Sequence, residues 1–325
     1  MCRLPATAAV SETTEMEVLQ TDTWREALEL KAAQPDAVPI AGGTDLMVEL
    51  NFDRIRPRAI LDLTRIPELT EWGPENGRLR VGAGVTYSRL IAELGDRLPG
   101  LAIAARTVGS PQIRNRGTVG GNLGTSSPAG DGLPPLFASD AEVELASTAG
   151  TRRIGVGEFV TGPKHNCLAD DELIAAFHIA PAGGPQQFAK IGTRNAMVIA
   201  VCSLALSIWP SRQGVAACVG SAGPTPIRCS EAERFIAGVF DEHDLWRTRA
   251  PIPDAALTSS PLGRLTTSAG PPATGTTRSA SSHGGRSPGH GRHTGAPDVD
   301  RQRRAPGGGR RVGGGEPAVP AARAS

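Results

Sequence analysis

Two glycine-bearing stretches decide how this sequence reads. The shorter is Pro39-Ile40-Ala41-Gly42-Gly43-Thr44-Asp45-Leu46, and the longer is Thr118-Val119-Gly120-Gly121-Asn122-Leu123-Gly124-Thr125-Ser126-Ser127-Pro128-Ala129-Gly130-Asp131. In the shorter one a strand ends, small residues turn, and a helix opens. Consecutive backbone N–H groups without Cβ crowding can cradle a phosphate, and a helix start favours its negative charge. Thr44 adds a hydroxyl donor. The longer one is expected inside a Gly-rich loop over residues 116–131. There Gly120 and Gly121 again expose amides, and Asn122, Thr125 and Ser126 can hydrogen-bond phosphate or polyol hydroxyls. Asp131 can accept from a hydroxyl. A diphosphate needs donors from more than one side, and two Gly-Gly turns supply them without Mg²⁺. On pattern alone, two ordinary tight turns remain the alternative. No Gly-x-Gly-x-x-Gly fingerprint is present, so a Rossmann dinucleotide site is not supported.

Outward from these stretches, strands and helices alternate. Thr23 and Glu26 form a capping box for a helix that breaks at 35–37. Strands are expected over 38–41, 59–63 and 79–85, and helices over 45–52 and 87–94. A hairpin around Ala149-Gly150 joins Val143–Leu145 to Arg153–Val156. A turn or helix at 170–173 leads into a strand over 173–179. The apolar run Ala196–Ile208 pairs with Val215–Val219, and a second capping box, Ser230 with Glu233, opens a helix to about Val239. Such alternation argues for an α/β or α+β protein.

The 325 residues carry a net charge of +1, but unevenly. Residues 1–250 hold 24 basic and 29 acidic side chains, a net of −5, whereas 251–325 hold 10 Arg and 4 acids, a net of +6. The body therefore lacks the gross positive charge of a nucleic-acid binder. The tail is dominated by Gly, Pro, Arg, Ala, Ser and Thr, and cannot bury enough apolar surface to offset its ordering entropy, so disorder is expected there. Its Arg-Gly tract at 307–311 lacks interleaved aromatics, which argues against RNA binding. With 31 Arg against 3 Lys in the chain, the tail also has the composition of a GC-rich gene read out of frame from about residue 245–250. Resequencing that stretch tests the point. No apolar run is long enough to cross a membrane, and residues 1–15 lack a secretory pattern. Cys2, Cys167, Cys202, Cys218 and Cys229 form no Cys-x-x-Cys pair, and the six His show no metal spacing. A cytoplasmic protein with reduced thiols, no metal site and no acid–base or nucleophile constellation is the expectation.

At both glycine stretches the chain strongly resembles a known family, the FAD-binding (medium) subunits of molybdenum hydroxylases, such as those of xanthine and carbon monoxide dehydrogenases. The matching motifs are Ala41–Leu46, Gln112–Asn122, Ser127–Asp131, Phe188–Gly192 and Gly223–Arg228, in the family's order and spacing. Thr107–Asn122 is most similar to bacterial xanthine dehydrogenase flavin subunits. The resemblance implies an α+β fold: a two-subdomain FAD-binding domain of the PCMH/vanillyl-alcohol-oxidase-like type, then a small antiparallel sheet with helices. Non-covalent FAD would be held by Ala41, Gly42, Gly43, Thr44, Asp45 and Leu46, and by Thr118, Gly120, Gly121, Asn122, Thr125 and Asp131. Lys190 matches a flavin-contacting lysine, with a solvated cation as the alternative. Leu173 and Ile174 lie where apolar side chains pack on the isoalloxazine, with plain core as the alternative. Arg114 is read as a structural salt bridge rather than a ligand contact.

The resemblance also implies partners. A large subunit would carry the molybdenum cofactor and hydroxylate the organic substrate, and a small subunit would carry 2Fe–2S clusters. Electrons would pass to FAD and on to NAD+, with xanthine as the favoured substrate of the complex. Carbon monoxide, aldehyde or aromatic-thioester oxidation, or a truncated flavin-binding protein without catalysis, are the alternatives. On this reading residues 1–15 are a leader with Met16 a candidate start, 16–75 and 76–182 are the FAD-binding subdomains, 183–250 is a shortened C-terminal flavoprotein domain, and 251–325 is the tail. The tail stands where family members continue with further helices, so weakened assembly with partners is expected.

Overall fold

A computed structural model of the protein describes residues 16–247. The expected leader and tail lie outside the described residues. Thr23 caps the first helix as anticipated, its Oγ1 accepting from Glu26 N at 3.3 Å. The reciprocal half of the box is relayed: Glu26 accepts from the Thr21 hydroxyl at 2.6 Å, and Thr21 Oγ1 in turn accepts from Thr23 N at 3.2 Å. Around this helix, α1 (Trp24–Ala33), stand β1 (Glu17–Gln20), β2 (Val38–Ile40), α2 (Leu46–Asn51) and β3 (Ala59–Asp62). The three strands form a parallel sheet in the order β1-β3-β2. The central strand β3 is the buried one, with Ala59, Ile60 and Leu61 all in the core, whereas β1 is exposed apart from Leu19 and β2 is no more than half-buried.

A 3-10 turn (Pro67–Thr70) leads to β4 (Trp72–Glu75), which pairs with β5 (Arg78–Gly82). Next come α3 (Tyr87–Leu94), α4 (Pro99–Thr107), α5 (Pro111–Arg116), α6 (Val119–Thr125) and α7 (Leu133–Ala138). Then follow β6 (Glu142–Ser147), β7 (Gly150–Gly155), α8 (Val156–Phe159), β8 (Val160–Gly162), β9 (His165–Asn166) and β10 (Leu173–Ile179). The second sheet is antiparallel, in the order β4-β5-β10-β6-β7. All seven residues of its central strand β10 are buried. The one titratable group there, His178, meets Glu144 Oε2 at 2.5 Å, and Glu144 also takes Arg80 at 2.8 Å.

The third sheet comprises β11 (Gln186–Ile191), β12 (Cys202–Trp209), β13 (Gly214–Gly220) and β14 (Ile227–Arg228), all antiparallel. Its Phe188, Ala205, Trp209, Ala216 and Cys218 join the common core against α4 and α7. Helix α9 (Ser230–Glu242) lies along β13. The expected Ser230–Glu233 capping box is not made. Cys229 occupies the cap position without a side-chain bond, and Glu233 instead accepts from Ala217 N and Arg228 Nε, both at 2.8 Å. Glu233 therefore ties the helix to the sheet, a use that local spacing does not reveal. A small parallel sheet with crossing helices followed by two antiparallel sheets with helices packed on them makes a mixed, α+β protein. No helix among the described residues is long and apolar enough to cross a membrane.

Candidate functional site

The β2–α2 turn uses its two glycines differently. Gly43 sits at φ +71°, where an L side chain is strained. Gly42 is needed for approach: a Cβ there would lie 2.0 Å from Arg116 O and 2.9 Å from Gly117 Cα. The turn thus presses backbone to backbone on the residues that precede Thr118. Tyr87 N donates to Gly117 O at 3.0 Å, which fixes that junction to the start of α3. Asp45 caps α2 through its backbone carbonyl, and its side chain makes no bond to its own helix. It accepts instead from Thr125 Oγ1 at 3.3 Å, so the two glycine stretches touch through side chains as well. Ala41, Gly43, Thr44 and Leu46 are half-buried in this turn.

The second stretch corrects the expectation of a loop. Residues 119–125 form α6, with Thr118 as N-cap accepting from Gly121 N at 2.8 Å. Three glycines in seven residues oppose a helix by about 1 kcal/mol each relative to alanine, which is why the sequence reads as a loop. Packing overrides that cost. Val119 and Leu123 are fully buried, and a Cβ on Gly120 would sit 2.4 Å from Ala83 O. The Gly121 amide, expected to be free for a ligand, is taken by the cap. Helix geometry leaves the Val119 and Gly120 amides facing out of the helix start.

Beyond α6 the chain wraps Asn122. A Cβ on Gly130 would come within 2.7 Å of Asn122 Nδ2, and one on Gly132 within 2.8 Å of Asn122 Oδ1. Asp131, between them, is clamped on one side: its Oδ2 accepts from Lys190 Nζ at 2.5 Å and Thr107 Oγ1 at 3.0 Å. Burial raises the Asp131 carboxyl above the usual carboxylate range, against the pull of Lys190 and Thr107. Lys190 is thus a buried ion-pair partner with 9% of its side chain exposed, not a solvated cation. It also donates to Thr107 O at 3.3 Å, while Gln186 Oε1 accepts from Gly100 N at 3.2 Å. β11 therefore holds α4 at both ends.

Two buried oxygens in this cluster, Asn122 Oδ1 and Asp131 Oδ1, have no hydrogen-bond partner. Buried acceptors left unpaired cost free energy, so each needs a donor that the protein does not supply, from an ordered water or a bound group. The hydroxyls of a ribityl chain or ribose are donors of that kind, and the residues present fit FAD. Ile174 approaches α6, its Cδ1 lying 3.6 Å from the Cβ position of Gly124, whereas Leu173 is sealed in the core. Arg114 forms no ion pair among the described residues. Its guanidinium donates to the carbonyls of Arg106, Val108 and Gly109 at 3.1–3.3 Å and closes the end of α4, in place of the expected salt bridge. Thr107 escaped the sequence reading because a threonine at a helix end carries no motif. No group of His, Cys, Asp or Glu among the described residues has the makings of a metal site.

Comparison with known proteins points the same way. A family model described as the FAD binding domain in molybdopterin dehydrogenase matches residues 14–182. The chain is 35% identical over 222 residues to the xanthine dehydrogenase FAD-binding subunit of Escherichia coli O157:H7, covering 65% of this chain and 76% of that one. It is 32% identical over 242 residues to the nicotinate dehydrogenase FAD-subunit of Eubacterium barkeri, covering 69% and 80%. Among solved structures it resembles carbon monoxide dehydrogenase from Hydrogenophaga pseudoflava, in a form lacking the Mo-pyranopterin moiety of the molybdenum cofactor. That match has a TM-score of 0.64 at 27% identity over 68% of this chain and 79% of the other.

Proposed function

This chain belongs to the family of FAD-binding domains of molybdopterin dehydrogenases, and from that premise we propose that it is the electron-transfer flavoprotein subunit of a xanthine dehydrogenase. FAD, when bound, would supply the redox chemistry, one-electron exchange with 2Fe–2S clusters of a small partner subunit and two-electron reduction of NAD+. The organic substrate is hydroxylated on a large partner subunit carrying the molybdenum cofactor. This chain's residues bind and orient. The Gly42–Asp45 turn and the Thr118–Gly121 helix start flank the diphosphate. Asn122 and Asp131 accept from hydroxyls through their unpaired oxygens, with Lys190 and Thr107 holding the Asp131 carboxylate in place. Ala41, Leu46 and Ile174 exclude water from the cofactor.

The carrying observation is the pair of buried, unpartnered oxygens at Asn122 and Asp131, beside two glycine stretches joined by the Asp45–Thr125 hydrogen bond. Xanthine is favoured because the Escherichia coli relative shares 35% identity over 76% of its own length. The four cysteines described are all free, which supports a reducing cytoplasmic setting. Purified full-length chain supplemented with FAD is expected to retain it through gel filtration, with flavin bands near ~370 and ~450 nm. A colourless protein would overturn the proposal. For the complex, xanthine-dependent NAD+ reduction is expected. Turnover of carbon monoxide, an aldehyde or nicotinate instead would keep the flavin role and overturn the substrate.

A further inference from the structure

We propose that the β8–β9 hairpin is a clip that sets the spacing of the two glycine stretches, with Lys164 as its positioning residue. The inference rests on the FAD reading above. Lys164 lies in the turn Gly162-Pro163-Lys164-His165 at φ +58°, the left-handed region that a turn of this kind fills with Gly or Asn. A lysine there is strained, and local sequence supplies no reason for it. Its contacts do. The Lys164 amide donates to Ser126 O at 3.0 Å, just past the end of α6, and its ammonium donates to Glu49 Oε1 on α2 at 2.6 Å. Two residues on, Asn166 Nδ2 donates to Gly124 O at 2.9 Å, and its Oδ1 accepts from Leu168 N at 3.2 Å, which orients the amide.

The hairpin thus grips the C-terminal carbonyls of α6 and reaches across to α2. On the α2 side the partners are Asp45 and Glu49, one helical turn apart and on one face. Asp45 takes Thr125 and Glu49 takes Lys164, while Gly42, in the turn before α2, meets Arg116, the last residue of α5. The first contact joins the two stretches directly, and the other two brace α2 and the turn before it against the hairpin and the end of α5. The Lys164 side chain is 54% exposed, and an exposed ion pair adds little to global stability. Strain retained for such a pair serves geometry between the stretches rather than fold stability.

The test is FAD titration of the full chain, stripped of flavin, by flavin fluorescence, with melting temperature measured in parallel. Lys164→Gly relieves the strain, so it is expected to melt at or above the wild-type temperature yet bind FAD about fivefold more weakly, the equivalent of ~1 kcal/mol. Glu49→Gln, which leaves the hairpin backbone untouched, is expected to weaken FAD to a similar degree. The exchange Glu49→Lys with Lys164→Glu is expected to recover most of the loss. Wild-type FAD affinity in both single variants would overturn the clip while leaving the FAD site standing. Lack of FAD binding by wild type would overturn the FAD reading and the clip with it.

Discussion

Gly42-Gly43 and Gly120-Gly121 are the same dipeptide in two settings, and the four glycines perform three different tasks. Gly42 and Gly120 each permit a close approach, to Arg116 O and to Ala83 O, that a Cβ would block. Gly43 supplies a left-handed backbone. Gly121 does neither; the nearest atom to its Cβ position is Thr118 Oγ1, at 3.1 Å, and its amide belongs to a cap. One pair makes a turn after a strand and the other the first turn of a helix. A Gly-Gly motif therefore marks a place where the backbone comes near something, but not which glycine is needed or why.

Substitutions can break this comparison, and the largest effect falls where backbone meets backbone. Gly42→Ala and Gly120→Ala are each expected to destabilise by about 3 kcal/mol, because a carbonyl 2.0–2.4 Å away cannot yield as a side chain would; thermal melting of the flavin-free chain reads this directly. Comparable in size, Lys190→Met leaves the buried Asp131 carboxylate without its cation and should cost roughly 3 kcal/mol near neutral pH. The sign with pH follows from the raised Asp131 carboxyl. The native state binds its proton more readily than the unfolded chain, so the loss is small in acid and grows as pH rises through the raised value. Denaturant melts of Lys190→Met across pH that ran parallel to wild type would refute the pairing. Gly43→Ala should cost about 1–2 kcal/mol for a left-handed φ, and Gly43→Asn less. Smallest of all, Gly121→Ala should change stability by under about 0.5 kcal/mol, since gained helix propensity offsets a tight contact with Thr118. If Gly121→Ala proved as damaging as Gly120→Ala, the division of labour drawn here would collapse.

Much of the framework was legible in the sequence, and the failures share a cause. Helix α3 spans Tyr87–Leu94 and strand β10 spans Leu173–Ile179, both as expected. In α3 the apolar spacing and the Thr86 cap agree, the hydroxyl accepting from Arg89 N at 3.3 Å. Helix α6 was misread because its glycines argue locally for a loop, while its stability comes from burying Val119 and Leu123. Ser230 and Glu233 have capping-box spacing, but Ala217 N and Arg228 compete for the Glu233 carboxylate and win. Arg114 found carbonyls at a helix end where an acid was expected. In each case a partner distant in sequence, or the core, outbid the local rule.

What the sequence determined by itself was the α+β character, the positions of the glycine turns, and the family to which their motifs belong. These depend on propensities, periodicity and short spacings, which act within a few residues. Tertiary structure alone decided the rest. It chose which amides the caps consume, set Gly42 against Arg116, joined Lys190 to an aspartate 59 residues away, and left Asn122 and Asp131 each with a buried oxygen that no protein donor reaches. Those outcomes are distances between atoms far apart along the chain. Packing sets such distances, because burial of apolar side chains contributes far more free energy than any single turn or cap preference.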